Sequence, residues 1–280
     1  MFSILIPSFN NLNYLKLCLK SILKNSIKKH EIIIHVNEGS DGTLKYVKKN
    51  NYKYTFSDTN VGLCTALNLA AKLSTTNYIL YSHDDMYFCP EWDTFLINEV
   101  NKINHDFYYL SGTMIEPNSG HIKFNCGENF ETFNENKLLS NYKNLNFYDH
   151  QGSHFAPHLV SKKMWCKVGG FSEEFNPGIA SDPDFNMKLW KQGVRIFKGI
   201  NNFKVYHFSS ITTRKREINL NNGTKTFTLK YGFNPRFFRK YYLRGDDLKS
   251  YDGILEEPKM NFKMIIDYLI NKFKYFYYKI

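Results

Sequence analysis

The stretch Tyr78-Ile79-Leu80-Tyr81-Ser82-His83-Asp84-Asp85-Met86-Tyr87-Phe88-Cys89-Pro90 decides the reading of this chain. Tyr78, Ile79, Leu80 and Tyr81 form a short apolar run of the kind that makes a buried strand, and it stops at His83-Asp84-Asp85, two adjacent carboxylates just past its end. Such a pair repels itself unless a cation or a polyhydroxylated ligand meets it. In open α/β sheets that edge is also where ligands bind. The plainer reading is a solvated Asp-Asp turn closed by Pro90, because aspartate is a common turn residue.

Upstream, the same device repeats. Ser3-Ile4-Leu5-Ile6-Pro7-Ser8-Phe9-Asn10 is a buried-strand run broken by a proline, and Leu12, Leu15, Leu19, Ile22 and Leu23 follow at helical spacing. His30 to Val36 repeats the apolar theme and ends at Asn37-Glu38. Gly39-Ser40-Asp41-Gly42-Thr43 is then a glycine-rich turn whose Thr43 starts the next helix. Tyr52 to Phe56 is another short strand and Asn60-Val61-Gly62 another turn, after which Ala66, Leu67, Leu69, Ala70 and Leu73 carry a helix to Tyr78. This alternation calls for an α/β fold: a Rossmann-like, mostly parallel sheet covered by helices on both faces. A dinucleotide fingerprint and a Walker loop are both absent, since Pro7-Ser8-Phe9-Asn10 stands where a G-x-G-x-x-G turn would be needed. A nucleotide here has to be held by acids and loop backbone.

Composition narrows the partners. With 280 residues, 42% apolar and 22% charged, the chain is globular and long enough for one large domain or two small ones. Met1 to Pro7 carries no basic leader, and no apolar window of spanning length occurs, so a cytoplasmic protein is expected, soluble or peripheral at the membrane surface. Its five cysteines are scattered without a CxxC pair and read as reduced packing residues. The net charge of +11 points to a phosphorylated, acidic or membrane-surface partner. Nucleic acid is not expected, because no helix-turn-helix, zinc-finger or RNA-binding motif accompanies the charge.

The elements Ile6-Pro7-Ser8-Phe9-Asn10, Val36-Asn37-Glu38-Gly39-Ser40-Asp41-Gly42-Thr43, Asn60-Val61-Gly62 and Asp84-Asp85 resemble, in order and spacing, the N-terminal half of a family-two glycosyltransferase of the GT-A fold. That family carries P-x-Y/F-N after its first strand, V-D-D-G-S-x-D-G-T after the second and an acidic D-x-D metal motif after the fourth. Two departures stand out. The paired acids of the second strand are Asn37-Glu38 with one turn residue missing, and the metal motif reads His83-Asp84-Asp85. The resemblance implies that Pro7, Ser8 and Phe9 line the base pocket, with Asn60 and Gly62 in the neighbouring turn, and that Glu38 accepts a hydrogen bond from base or ribose. It further implies that Asp84 holds the ribose and that Asp85 binds Mn²⁺ or Mg²⁺ across the two phosphates of a nucleoside-diphosphate sugar, in keeping with how such ions are usually held. His83 is either an extra ligand or a histidine bonded to a neighbouring loop.

The second half of the chain opens with a helix through Trp92, Phe95, Leu96 and Val100 and an aromatic, loop-rich stretch to His150, suited to acceptor recognition without assignable residues. Leu159 to Trp165 and Gly169-Gly170-Phe171-Ser172-Glu173-Glu174-Phe175 resemble the family's strand, short helix and G-G-F-D-E-x-F turn. Ser181-Asp182-Pro183-Asp184 follows where the family has E-D-x-D, so Asp182 is implied as the general base. Pro183 would sit in the first helical turn and Asp184 would cap it. The alternative for Asp182 is a plain helix cap. A helix N-terminus stabilises a charged carboxylate, so a working base there needs burial to raise its pKa again. His207, in Val205-Tyr206-His207-Phe208-Ser209-Ser210, resembles a V-x-H-x-x-S element and is either a metal or diphosphate ligand or structural.

Beyond Ile211, Thr212 to Arg216 reads as a basic loop over the diphosphate, and the last stretch places Phe262, Ile265, Ile266, Leu269, Phe273, Phe276 and Ile280 on one helical face, with Lys263, Asp267 and Lys274 turned away. That helix packs on the core or on a second subunit, making a homo-oligomer, or lies on an anionic membrane through residues 260–280, near a lipid-linked acceptor. The expected organisation is a catalytic domain over 1–210, split into a nucleotide-binding half (1–90) and an acceptor half (91–210), and a C-terminal extension over 211–280. The expected activity is metal-assisted, inverting transfer from a nucleoside-diphosphate sugar, UDP first, to a glycan or glycolipid hydroxyl. An inactive sugar-nucleotide-binding protein and a basic nucleic-acid- or membrane-binding module are the rivals.

Overall fold

The structure is a computed structural model describing residues 1–208 and 221–280. The first half alternates as its apolar periodicity requires: β1 (Ser3–Phe9), α1 (Leu12–Asn25), β2 (Glu31–Asn37), α2 (Thr43–Lys49), β3 (Lys53–Ser57), α3 (Leu63–Ala71) and β4 (Tyr78–Tyr81). The second half adds β5 (Met86–Phe88), α4 (Trp92–Ile103), β6 (Tyr108–Glu116), β7 (Ile122–Lys123), α5 (Glu135–Asn141), β8 (His150–Gln151), β9 (His158–Ser161), α6 (Lys162–Val168), α7 (Ser181–Lys191) and β10 (Ile196–His207).

These strands form one sheet in the order β3-β2-β1-β4-β9-β6-β10-β5, with β7 and β8 on its margin. Strands β3, β2, β1 and β4 are all parallel. Strand β9 is antiparallel to both β4 and β6, while β10 is parallel to β6, so β6 and β10 point the same way as β1 and β4. The consequence is that Phe9, Asn37, Tyr81, Glu116 and His207, each the last residue of its strand, all end at one edge of the sheet. Strand order turns back between β1 and β4, the switch point where open α/β sheets bind ligands.

Strand β10 pairs with β6 along its length, with a register shift between Ile200 and Lys204. The main core takes Ile4, Leu5 and Ile6 of β1, Leu15 and Leu19 of α1, and Phe197 and Phe203 of β10, all fully buried. A second cluster around Tyr87, Ile115, Leu138 and Tyr206 supports the loop-rich segment between β7 and α5. Cys18, Cys64, Cys89 and Cys126 are buried and Cys166 is exposed; none is in a disulfide.

After residue 221 the chain folds back on the same core. Phe227, from the helix Gly223–Tyr231, packs there with Phe237, Phe238 and Leu243, and Tyr242 meets Trp190 of α7 edge-on at 5.3 Å. The last helix, Phe262–Lys279, corrects an expectation. Of the placements open to its apolar stripe, packing on the core is ruled out, since Phe262, Leu269, Phe273 and Phe276 are exposed. The docked side carries Met264, Asp267, Tyr268 and Asn271 instead. Lys240, Tyr241 and Asn234 reach in to that face with polar contacts beside the buried Met264.

Candidate active site

The tract Ser82-His83-Asp84-Asp85 leaves β4 at the shared edge and is clamped from both sides. Ser8 Oγ, at the end of β1, donates to Asp84 Oδ2 (2.7 Å), and Asn11 Nδ2 donates to Asp84 Oδ1 (3.0 Å). On the other side the Phe208 amide donates to the Asp85 carbonyl (3.2 Å). Asp84 is buried, and its pKa is pushed up to about 7 by that burial and by the Asp85 charge, against the pull of Ser8 and Asn11. The two aspartates thus differ: Asp84 is bound into the protein through both oxygens, while Asp85 turns towards a pair of histidines.

That pair comes from distant sequence. Strands β6 and β10 lie parallel with Tyr206 opposite Ile115, so the next residues, His207 and Glu116, meet at the edge. His207 Nδ1 lies 2.6 Å from Glu116 Oε1, and His207 Nε2 lies 3.4 Å from Asp85 Oδ1 without the alignment of a hydrogen bond. His83 Nδ1 lies 3.8 Å from the same oxygen, and its ring meets that of His207 edge-on at 5.5 Å. One ligand atom from each of His83, Asp85 and His207 falls within 4.8 Å of the others. Burial alone would lower the His207 pKa, but the Asp85 and Glu116 charges outweigh it and hold it up at about 10. Burial pushes His83 down to about 4 even against the pull of Asp85, with His207 adding to the fall, and leaves it neutral.

A divalent cation fits this donor set. Two imidazole nitrogens and a carboxylate oxygen suit Mn²⁺ better than Ca²⁺, and Glu116 orients one ligand as a carboxylate behind a metal-binding histidine does. Glu116 is the residue that the sequence reading missed. It carries no motif, and its place as the last residue of β6 is what brings it to the edge.

Across the edge, α7 follows Ala180, which is at a φ of +63°, and no side chain caps the helix N-terminus. Asp182 stands in its first turn, and its Oδ1 is out of reach of solvent and accepts no hydrogen bond among the described residues. Burial pushes the Asp182 pKa up to about 7, so desolvation overrides the helix dipole, which favours the charged form. Asp184 does not cap the helix as expected. It is fully buried, accepts from Ser172 Oγ (2.6 Å) and Tyr231 Oη (2.7 Å), and pairs with Lys230 at 2.8 Å. Tyr81 lies between the two acidic centres: after burial, Asp182, Asp85 and Asp84 all push its hydroxyl up, and that hydroxyl has no partner among the described residues.

The remaining predicted residues sit on the β1–β2–α3 side. Pro7 and Phe9 are half-buried on β1, and Glu38 follows β2 at a φ of +62° with Ser40 Oγ donating to its carboxylate (2.9 Å). Asn37 is buried and accepts from the Val61 amide (3.0 Å), so it fastens the turn that contains Asn60. Asn60 is exposed and accepts from the Gly62 amide (3.0 Å). Gly62, at a φ of +81°, admits Asn176: a Cβ there would lie 2.5 Å from the Asn176 Oδ1 that accepts from the Cys64 amide. The basic loop expected over Thr212 to Arg216, and Ser209 and Ser210 beside His207, lie outside the described residues.

Comparison with known proteins places this geometry. A family model described as glycosyl transferase family 2 matches residues 3–159. An uncharacterized glycosyltransferase of Rickettsia prowazekii is 32% identical over 179 residues, covering 61% of this chain and 53% of the relative. The chondroitin synthase of Escherichia coli is 26% identical over 231 residues, 80% of this chain and 31% of that protein. This chain therefore spans about half the length of the first of these relatives, and less of the second. The crystal structure of GalNAc-T7 with UDP, GalNAc and Mn²⁺ superposes with a TM-score of 0.57 at 14% identity, over 74% of this chain and 43% of that one, a likeness of fold. No described helix is long and apolar enough to cross a membrane. With its family model spanning more than half of the sequence and its strand ends arranged as the motifs require, the chain belongs to glycosyl transferase family 2 and has the GT-A fold.

Proposed function

We propose that this chain transfers a sugar from a nucleoside-diphosphate sugar, with UDP the first choice of nucleotide, to a hydroxyl of a glycan or glycolipid, with inversion and with the help of Mn²⁺ or Mg²⁺. The observation that carries this reading is the convergence on one sheet edge of an acid–histidine cluster and a carboxylate, Asp182, whose Oδ1 is buried without a partner among the described residues. The UDP and Mn²⁺ bound in GalNAc-T7 support the donor and the ion, and the relative named chondroitin synthase supports a glycan acceptor.

In this reading Asp85, His207 and His83 hold the cation, which when bound would offset the charge developing on the departing diphosphate, a contribution of several kcal/mol. Asp84, fixed by Ser8 and Asn11, uses its remaining lone pairs on the ribose, and Glu38 accepts from base or ribose beside Pro7 and Phe9. Asp182 takes the proton of the acceptor hydroxyl as its oxygen attacks the anomeric carbon. The bond from that carbon to the diphosphate oxygen breaks with its electron pair leaving on the diphosphate, and attack from the opposite face inverts the centre. A base with a pKa near 7 is matched to this work at neutral pH.

Thermal stability measured with UDP, GDP, CDP and dTDP, each with and without Mn²⁺, tests the donor half. UDP with Mn²⁺ is expected to raise Tm more than UDP alone, and the absence of a shift with every nucleotide would refute the reading.

A further inference from the structure

The C-terminal helix Phe262–Lys279 is docked inside out. Its polar side faces the protein: Asp267 accepts from Lys240 Nζ (2.5 Å) and Tyr241 Oη (2.6 Å), and Asn271 Oδ1 accepts from the Asn234 amide (2.9 Å). Opposite them, Phe262 is 79% exposed, Phe273 76%, Leu269 61% and Phe276 60%, with Ile265 and Ile270 beside them. A contiguous apolar stripe held outward by specific contacts on its back marks a surface that meets something.

The charge pattern identifies that partner. At about 100° per residue the exposed apolar positions cover an arc of roughly 140°. Lys263 and Lys274 fall on one border of the arc and Lys272 and Lys279 on the other, while Asp267, the sole acid of this helix, is on the docked side. The exposed Lys263 and Lys274 can lay their methylene stems along the stripe and reach outward to phosphates, while Lys272 and Lys279 carry their charge over the Tyr275 ring on the other border. A second copy of the same face would set lysine border against lysine border, with the helix's own acid, Asp267, already held by Lys240 and Tyr241. We propose that this face docks on an anionic lipid bilayer, the helix lying in the interface without crossing it. The proposal does not depend on the transfer reaction and is tested without it.

The test is flotation of the full chain with phosphatidylcholine vesicles, with and without phosphatidylglycerol. Binding is expected only with phosphatidylglycerol, and it should weaken as salt rises. Replacing Lys274 and Lys279 by glutamine should weaken it about 25-fold, roughly fivefold for each lysine. Leu269→Ser with Phe273→Ser should weaken it on the order of 100-fold; both positions are exposed, so an unchanged Tm checks that the fold survives. Absence of flotation with phosphatidylglycerol, or full flotation of the Leu269→Ser/Phe273→Ser protein, would overturn the proposal. So would a stable dimer in sedimentation equilibrium that this double variant dissolves, which would assign the face to a second copy.

Discussion

The two acidic tracts at the sheet edge, Asp84-Asp85 and Asp182-Pro183-Asp184, are built alike and end differently. In each, one aspartate is tied down by protein donors: Asp84 by Ser8 and Asn11, Asp184 by Ser172, Tyr231 and Lys230. The tied residue fixes the backbone that presents the other. The presented residues then diverge, because Asp85 faces two histidines whereas Asp182 has one oxygen without a partner among the described residues. A carboxylate bracketed by imidazoles is suited to holding a positive ion, and a desolvated carboxylate with nothing to neutralise it is suited to accepting a proton. Identity of residue type thus says little; the neighbours supplied by distant strands separate the roles.

The contrast can be broken most severely at Asp182. Asp182→Asn is expected to lower kcat by roughly 10²- to 10⁴-fold, with the UDP and Mn²⁺ thermal shift intact. Loss of that shift together with the rate would move Asp182 from chemistry to binding. Next in size is Asp184→Asn, which removes the buried one of Lys230's two carboxylate partners, leaving Glu174, and leaves an acceptor for only one of Ser172 and Tyr231. A loss of about 2–3 kcal/mol in urea unfolding is expected, below the figure for a fully buried pair because Lys230 is partly exposed. On the donor side, Glu116→Gln leaves His207 without its orienting charge and should weaken Mn²⁺ affinity about 10- to 100-fold in titrations of the apoprotein with UDP present.

The smallest effect has the opposite sign. Burial raises the Asp182 pKa above the ordinary carboxylate value, so the folded state binds a proton more tightly than the unfolded chain. The stability this supplies is complete below pH 4 and is lost as pH rises to about 7. At pH 8, Asp182→Asn should therefore stabilise the protein, by on the order of 1 kcal/mol given partial solvent access at the residue, and a Tm measurement at that pH reads it. Asp182→Asn and Asp184→Asn moving Tm in the same direction would erase the distinction between the two.

What the sequence made legible followed from locality. The strand–helix alternation up to Tyr81 is written in short periodicities, and the glycine turns and the Asp84-Asp85 tract are contiguous, so both could be read in place. Misread features had their causes far along the chain. Asp184 reads as a helix cap until Tyr231 and Lys230 arrive from a later helix. Glu116 carries no motif, and its meaning comes from His207 on the neighbouring strand. The stripe on the last helix was visible, but the side that docks is the one met by Lys240, Tyr241 and Asn234, whose contacts no periodicity reports.

The central claim, that Asp182 is a proton acceptor held near neutrality by burial, is tested most directly by the pH dependence of kcat/KM at saturating Mn²⁺. The account predicts a rate that is level above pH 7 and falls about tenfold per unit below it, in line with a base whose pKa is raised to about 7. A rate that stays level down to pH 5 would contradict it.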